Sequence, residues 1–252
     1  MLNAILKLYI AINLTFPIPP VKTSILVGKQ PIAITASGTI TKVSSERGQN
    51  VLELELVAHL SDLQSNITAV LASQLDRSDP CGQRIAIQHA LLTPLAPSAL
   101  LVVQLHFESW KCIKVLGKQR PTKLVGGNGT IEMKLTPAID EGASLRLVPQ
   151  VRRTEADGAL GELLRSGSVG EALRAKVAQT LDSTMQKGTN FKATLPPAVQ
   201  DYATIENAQF ADEGAGKWQV ILDGRFQISN QQVQLLANQL KGRSSAPGAS
   251  ER

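Results

Sequence analysis

Val51-Leu52-Glu53-Leu54-Glu55-Leu56-Val57-Ala58 runs into His59-Leu60-Ser61-Asp62-Leu63-Gln64, and at that junction the spacing of apolar residues changes. In the first stretch Leu52, Leu54 and Leu56 share one face while Glu53 and Glu55 take the other, the period of a half-buried strand. Beyond it Leu60, Leu63, Ile67, Val70, Leu71 and Leu75 recur every three or four residues, which predicts an amphipathic helix over 60–75. Ser61 and Gln64 stand in the positions of a capping box at its start.

Working outward, an alternating segment at 32–42 precedes this strand, and segments at 84–92 and 99–108 follow the helix. The same order then recurs: strands at 130–138 and 144–153, a helix at 168–186, and strands at 203–210 and 217–228. In the second helix Leu173, Val177, Leu181 and Met185 are spaced by four, and Ser168 with Glu171 forms another capping box. The last strand sets Val220, Leu222 and Phe226 against Gln219, Asp223 and Arg225, one dry face and one wet. The predicted class is therefore α+β. A long, highly curved antiparallel sheet wraps around amphipathic helices and is built from two strand–strand–helix–strand–strand units, about 8–116 and 124–240. These form a single domain over 8–240. Asn128-Gly129 reads as a hairpin turn, and 117–129 as the junction between units. The tail 241–252 has a disordered composition.

At the start, Ile10, Ile12, Leu14 and Phe16 alternate with Ala11, Asn13, Thr15 and Pro17, which reads as a first strand and not as a secretory signal. With 252 residues, 43% of them hydrophobic, the chain can bury a substantial core. No stretch approaches the length of a membrane-spanning helix. Aromatic residues make up only 4%, so platforms for stacking bases are scarce and a nucleic-acid partner is disfavoured despite the net charge of +5.

Cys81 and Cys112 lie equally far from the Ala96-Pro97 peptide within the turn Thr93-Pro94-Leu95-Ala96-Pro97-Ser98, so an in-register hairpin brings the two thiols opposite each other. The expectation is a disulfide, and with it a periplasmic or extracellular location. His59, His89 and His106 are scattered and no Cys-x-x-Cys occurs, so no metal site or other cofactor is expected. Patterns of catalysis are absent as well. Ser166-Gly167-Ser168-Val169-Gly170 lacks the glycine two residues before the serine that a nucleophile elbow requires. Gly126-Gly127-Asn128-Gly129 lacks the spacing and lysine of a phosphate loop, and His106 reads as a core-edge histidine. The chain is read as a non-enzyme.

Two further features bear on binding. The stripes Leu63, Ile67, Val70 and Leu71 on the first helix, and Leu173, Val177 and Leu181 on the second, either pack on the sheet or line an apolar groove. Leu54, Leu56, Val220 and Leu222 on the dry strand faces would complete such a groove. From Trp110 to Lys123 the chain carries Lys111, Lys114, Lys118, Arg120 and Lys123, with no acidic residue between Glu108 and Glu132. Trp110, Ile113, Val115 and Leu116 are interleaved with them. This segment reads as a solvated loop or as a contact for an anionic membrane surface.

Leu60-Ser61-Asp62-Leu63-Gln64 at a helix start, the strand pair Ile85 to Phe107, and Trp218-Gln219-Val220-Ile221-Leu222-Asp223-Gly224-Arg225-Phe226 before a last helix resemble the tubular lipid-binding superfamily. That superfamily includes the bactericidal permeability-increasing proteins, the synaptotagmin-like mitochondrial lipid-binding domains and bacterial relatives. Ala11-Ile12-Asn13-Leu14-Thr15-Phe16-Pro17-Ile18-Pro19 is similar to the first strand of the bacterial relatives. The resemblance implies a long helix cradled in a curved antiparallel sheet with acyl chains in the groove, and no catalytic residue. It leads to the expectation of a non-enzymatic protein binding lipid or another hydrophobic molecule. The alternative is a structural adaptor with a packed core that recruits a protein through an edge strand or the basic segment.

Overall fold

The alternating stretch around Leu54 becomes the middle strand of an antiparallel sheet, with a leucine face buried in the protein interior. In the computed structural model, residues 14–27, 30–46, 48–115, 118–139, 145–156, 158, 161–162, 168–188, 195 and 197–244 are described. The strands are β1 (Thr15–Val27), β2 (Gln30–Glu46), β3 (Gln49–His59), β4 (Arg77–Ser78), β5 (Gln83–Leu95), β6 (Ser98–Val115), β7 (Lys118–Ile139), β8 (Leu145–Ala156), β9 (Thr204–Asp212) and β10 (Trp218–Ser229). The described helices of one turn or more are α1 (Ser61–Leu75), α2 (Ser168–Gly188), the single turn α3 (Pro197–Gln200) and α4 (Asn230–Ser244). The protein is α+β, mostly antiparallel sheet with few helices, and one sheet curls into a half-barrel.

Two five-stranded sheets form where one long sheet was predicted. Their orders are β1-β2-β3-β10-β9 and β4-β5-β6-β7-β8. Neither sheet belongs to one half of the chain. The strands before α1 pair with those after α2, and the strands after α1 pair with those before α2. The reason lies in the dry faces: Leu52, Leu54 and Leu56 on β3 stand opposite Phe226, Gly224 and Leu222 on β10. Joining those two strands makes one continuous apolar surface of two half-buried faces.

In the second sheet, the hairpin of β5 and β6 is centred where the turn prolines place it, with Leu95 opposite Ser98. A register shift between Ile87 and His89 inserts one extra residue on β5. Ile85 and Ile87 are buried before it, Ala90 and Leu92 after it. The bulge keeps the apolar side of the strand facing inward when the sequence changes phase. On β6 the alternate residues Ala99, Leu101, Val103, Leu105 and Phe107 are all fully buried.

Three expectations about boundaries are corrected. β1 extends from Thr15 to Val27, through Pro17, Pro19 and Pro20. As an edge strand it tolerates residues that cannot donate to a ladder, and its register shifts between Ile18 and Val21, where two of the prolines fall. Residues 1–13, which include the first half of the predicted first strand, lie outside the described residues. Asn128-Gly129 makes no turn. It sits inside the 22-residue β7, with Asn128 opposite His106 and Gly129 opposite Leu105. Cross-strand pairing with β6 outweighs the local turn preference, and the pairing of β6 with β7 runs out to Val115 opposite Lys118. Finally, α4 continues to Ser244, past the predicted start of the tail. The remainder of the tail, 245–252, lies outside the described residues.

Candidate functional site

The candidate groove residues with described side chains come together in one buried cluster. Leu63, Ile67, Val70 and Leu71 of α1, Val177 of α2, Leu54 and Leu56 of β3, and Val220 and Leu222 of β10 each retain 2% or less of their surface exposed. Leu173 and Leu181 occupy the α2 positions predicted for them, but their side chains lie outside the described residues.

Polar side chains of the helices fix how this interior is closed. Gln64, predicted to belong to a capping box, does not cap: Leu60 occupies the N-cap position and α1 has no side-chain cap bond. The Gln64 amide instead donates to the carbonyls of Leu92 on β5 and of Gly216, both at 2.8 Å, and accepts from the Trp218 amide at 3.0 Å. One side chain thus ties α1 to both sheets. Along the β5 edge, Thr68 Oγ1 accepts from Ala90 N and donates to Ala90 O, and Asp76 accepts from Ile87 N at 2.8 Å. At the first sheet Asp62 accepts from Ala33 N at 2.7 Å, beyond the point where β2 pairs with β3. On the far edge of the second sheet, Asp182 of α2 accepts from Leu147 N of β8. Helical side chains therefore satisfy strand-edge amides that a further strand would otherwise have paired.

The basic segment is a ribbon, not a loop. β5 pairs with β6 only up to Ser109, and β8 pairs with β7 only from Gly129 onward. Between those limits Trp110–Val115 pair with Lys118–Lys123, with Trp110 N also donating to Gly82 O at 2.8 Å, so a two-stranded arm extends past the five-stranded sheet. An isolated hairpin is marginal in water, and this one is fastened at its root. Cys81 and Cys112 form a disulfide with a Cα separation of 5.1 Å, consistent with an oxidising periplasmic or extracellular setting. Beside it, Glu108 accepts from Lys123 Nζ at 2.6 Å and from Trp110 Nε1 at 2.9 Å, with His106 Nε2 at 3.3 Å. These donors, Lys123 first, then Trp110 and His106, lower the Glu108 pKa from 4.5 to about 2. Arg84 lies 4.2 Å from the Trp110 ring centre, a cation–π contact. The other nitrogen of His106 meets Asn128 Oδ1 at 2.8 Å.

Of the residues predicted to meet a membrane, Trp110 and Lys123 are thus engaged at the root. Lys111, Lys114 and Arg120 are exposed on the arm. Lys118 lies at its tip, where it pairs with Val115, and its side chain is outside the described residues. No family model, curated protein or solved structure matches this chain.

Sequence reasoning assigned no role to Glu108, Arg84, Asp76 or Asp79. Asp79 in fact accepts from Cys81 N at 2.9 Å and shapes the turn that carries the cysteine. Glu108 had one signal in the sequence, as the last carboxylate before a long basic stretch. At the root of the arm Asp76, Arg77, Arg84, His106 and Glu108 line an open cleft of about 420 Å³. Among the described residues no group of three His, Cys, Asp or Glu side chains is placed to hold a metal ion, and no helix is long and apolar enough to cross a membrane.

Proposed function

We propose that this chain is a non-enzymatic protein that takes up lipid or another hydrophobic ligand between its two sheets, with α1 and α2 as the movable walls. The observation that carries this reading is the manner of closure. The edges beside the apolar interior are held by side-chain hydrogen bonds from Asp62, Gln64, Thr68, Asp76 and Asp182. Water can replace each of these without breaking a backbone ladder, so a helix can leave an edge at modest cost. An acyl chain entering there gains about 0.8 kcal/mol for each methylene buried. Leu63, Ile67, Val70, Leu71, Leu173, Val177 and Leu181 would then face it from the helices, and Leu54, Leu56, Val220 and Leu222 from the first sheet. The resemblance to tubular lipid-binding proteins points the same way.

A second reading, an adaptor with a packed core, is favoured by the near-zero exposure of the nine described interior side chains. Native mass spectrometry followed by organic extraction decides between the two. The lipid reading expects a reproducible extra mass that resolves into lipid. It also expects loss of that mass in Val177→Asp or Leu222→Asp and its retention after removal of residues 245–252, with thermal melts separating loss of ligand from loss of fold. A clean apo mass with no uptake from liposomes overturns it in favour of the adaptor.

A further inference from the structure

The two faces of the ribbon differ. On one, Cys112 is tied to Cys81, and Trp110 and Lys123 are tied to Arg84 and Glu108. The other carries Lys111 opposite Thr122 and Ile113 opposite Arg120. Here Ile113 is 46% exposed, and Leu124, the extra residue where the register shifts between Ser109 and Trp110, is 61% exposed. The side chains of Lys111, Lys114 and Arg120 take part in no ion pair or hydrogen bond among the described residues. No Asp or Glu occurs from 109 to 131. The arm therefore presents uncompensated cations around an exposed isoleucine.

We propose that this ribbon docks the protein onto anionic lipid bilayers, with the Lys111–Ile113–Arg120 face and Leu124 against the membrane. Charge complementarity selects the occupant. A second copy of the arm, equally cationic, is repelled. Duplex nucleic acid would satisfy the cations but leave Ile113 and Leu124 without an apolar partner, and Trp110, the one aromatic ring on the arm, is already covered by Arg84. A bilayer surface meets both needs, because lysine and arginine sit among the headgroups while aliphatic side chains enter the acyl boundary. The disulfide and the Glu108 cluster hold the arm in place, so little ordering remains to oppose docking.

This inference goes beyond the interior reading and does not rest on it. The test is co-sedimentation of the full chain with vesicles of phosphatidylserine and phosphatidylcholine, compared with vesicles of phosphatidylcholine alone. Binding is expected only where phosphatidylserine is present, and it weakens as salt is raised. Lys111→Gln with Arg120→Gln lowers affinity about 30-fold, since each cation near an anionic leaflet contributes about fivefold. Its melting temperature is unchanged, because neither side chain has a partner to lose. Ile113→Ser weakens the binding that persists at high salt. Equal binding by the double variant, equal binding to neutral vesicles, or tighter binding to duplex DNA than to vesicles each overturns the proposal. Vesicle binding without extractable lipid refutes the interior reading alone, and bound lipid without vesicle affinity refutes this one alone.

Discussion

Gln64→Ala separates a helix cap from a clamp between sheets. If Ser61 and Gln64 formed a capping box, Ser61→Ala would cost about 1 kcal/mol, and Gln64→Ala a similar amount. The structure assigns the two residues different weights. Ser61 makes no cap bond, so Ser61→Ala is close to neutral. Gln64→Ala removes three hydrogen bonds, to Leu92 O, Gly216 O and Trp218 N. At about 1 kcal/mol each the loss is about 3 kcal/mol, with the Trp218 amide the most costly, since Trp218 is only 1% exposed. For a chain of this size that corresponds to a fall in melting temperature of roughly 6–12 °C. Gln64→Glu tests the polarity of the clamp. It keeps an acceptor for Trp218 but points a carboxylate at two carbonyl oxygens, and is expected to destabilise at least as much as alanine. Urea denaturation of the three variants, with melting curves beside it, measures all of this. Equal losses for Ser61→Ala and Gln64→Ala, or a loss under about 1 kcal/mol for Gln64→Ala, would refute the clamp.

Removing the disulfide with Cys81→Ser and Cys112→Ser frees an unfolded-state loop set by a sequence separation of 31 residues. The expected loss is about 3.7 kcal/mol; a wild type whose urea midpoint ignores reductant would contradict it. Glu108 predicts a pH dependence. Its folded-state pKa lies near 2 and its ordinary value is 4.5, so its contribution to stability is complete above about 4.5 and is lost as pH falls toward 2. Urea midpoints across that window should fall less steeply in Glu108→Gln than in wild type, and identical slopes would remove Glu108 from its place at the root of the arm.

Local patterns made the interior legible. Leu52, Leu54, Leu56, Val220 and Leu222 are buried as their period requires, because a strand face is set by residues two apart. The same holds for the hairpin centre, since the prolines around Ala96 fix the turn; the disulfide forms as expected although the bulge in β5 shifts the register, Cys81 lying ahead of the strand. What escaped is non-local. Gln64 finds its partners at Gly216 and Trp218, separated from it by 152 and 154 residues, and nothing near Gln64 marks it as more than a polar helix residue. The arm escaped for another reason. Lys, Gly and Pro dominate 117–129 and are poor strand formers, so local preference favoured a loop. A usable signal was the pair Leu116-Gly117 between two stretches with interleaved apolar residues, since two-residue connections containing glycine join hairpin strands.

The two proposed sites are neighbours. Asp76 and Arg77, which follow the last turn of α1, line the same cleft as Arg84, His106 and Glu108 at the root of the arm. The last tie of α1 to the second sheet, Asp76 to Ile87 N, lies on the strand that carries Arg84. On the proposed reading, a bilayer held against the arm would therefore lie nearer the C-terminal end of α1 than the Gln64 clamp at the other end. Just past the C-terminal end of α1 the pairs Arg77–Ile85 and Ser78–Arg84 join the Asp76 bond in holding the chain to β5, while the N-terminal end is held by the three bonds of Gln64 and by Asp62 on Ala33. Both ends of α1 are thus tied to strands, and the C-terminal tie is the one that shares its strand with Arg84 at the root of the arm.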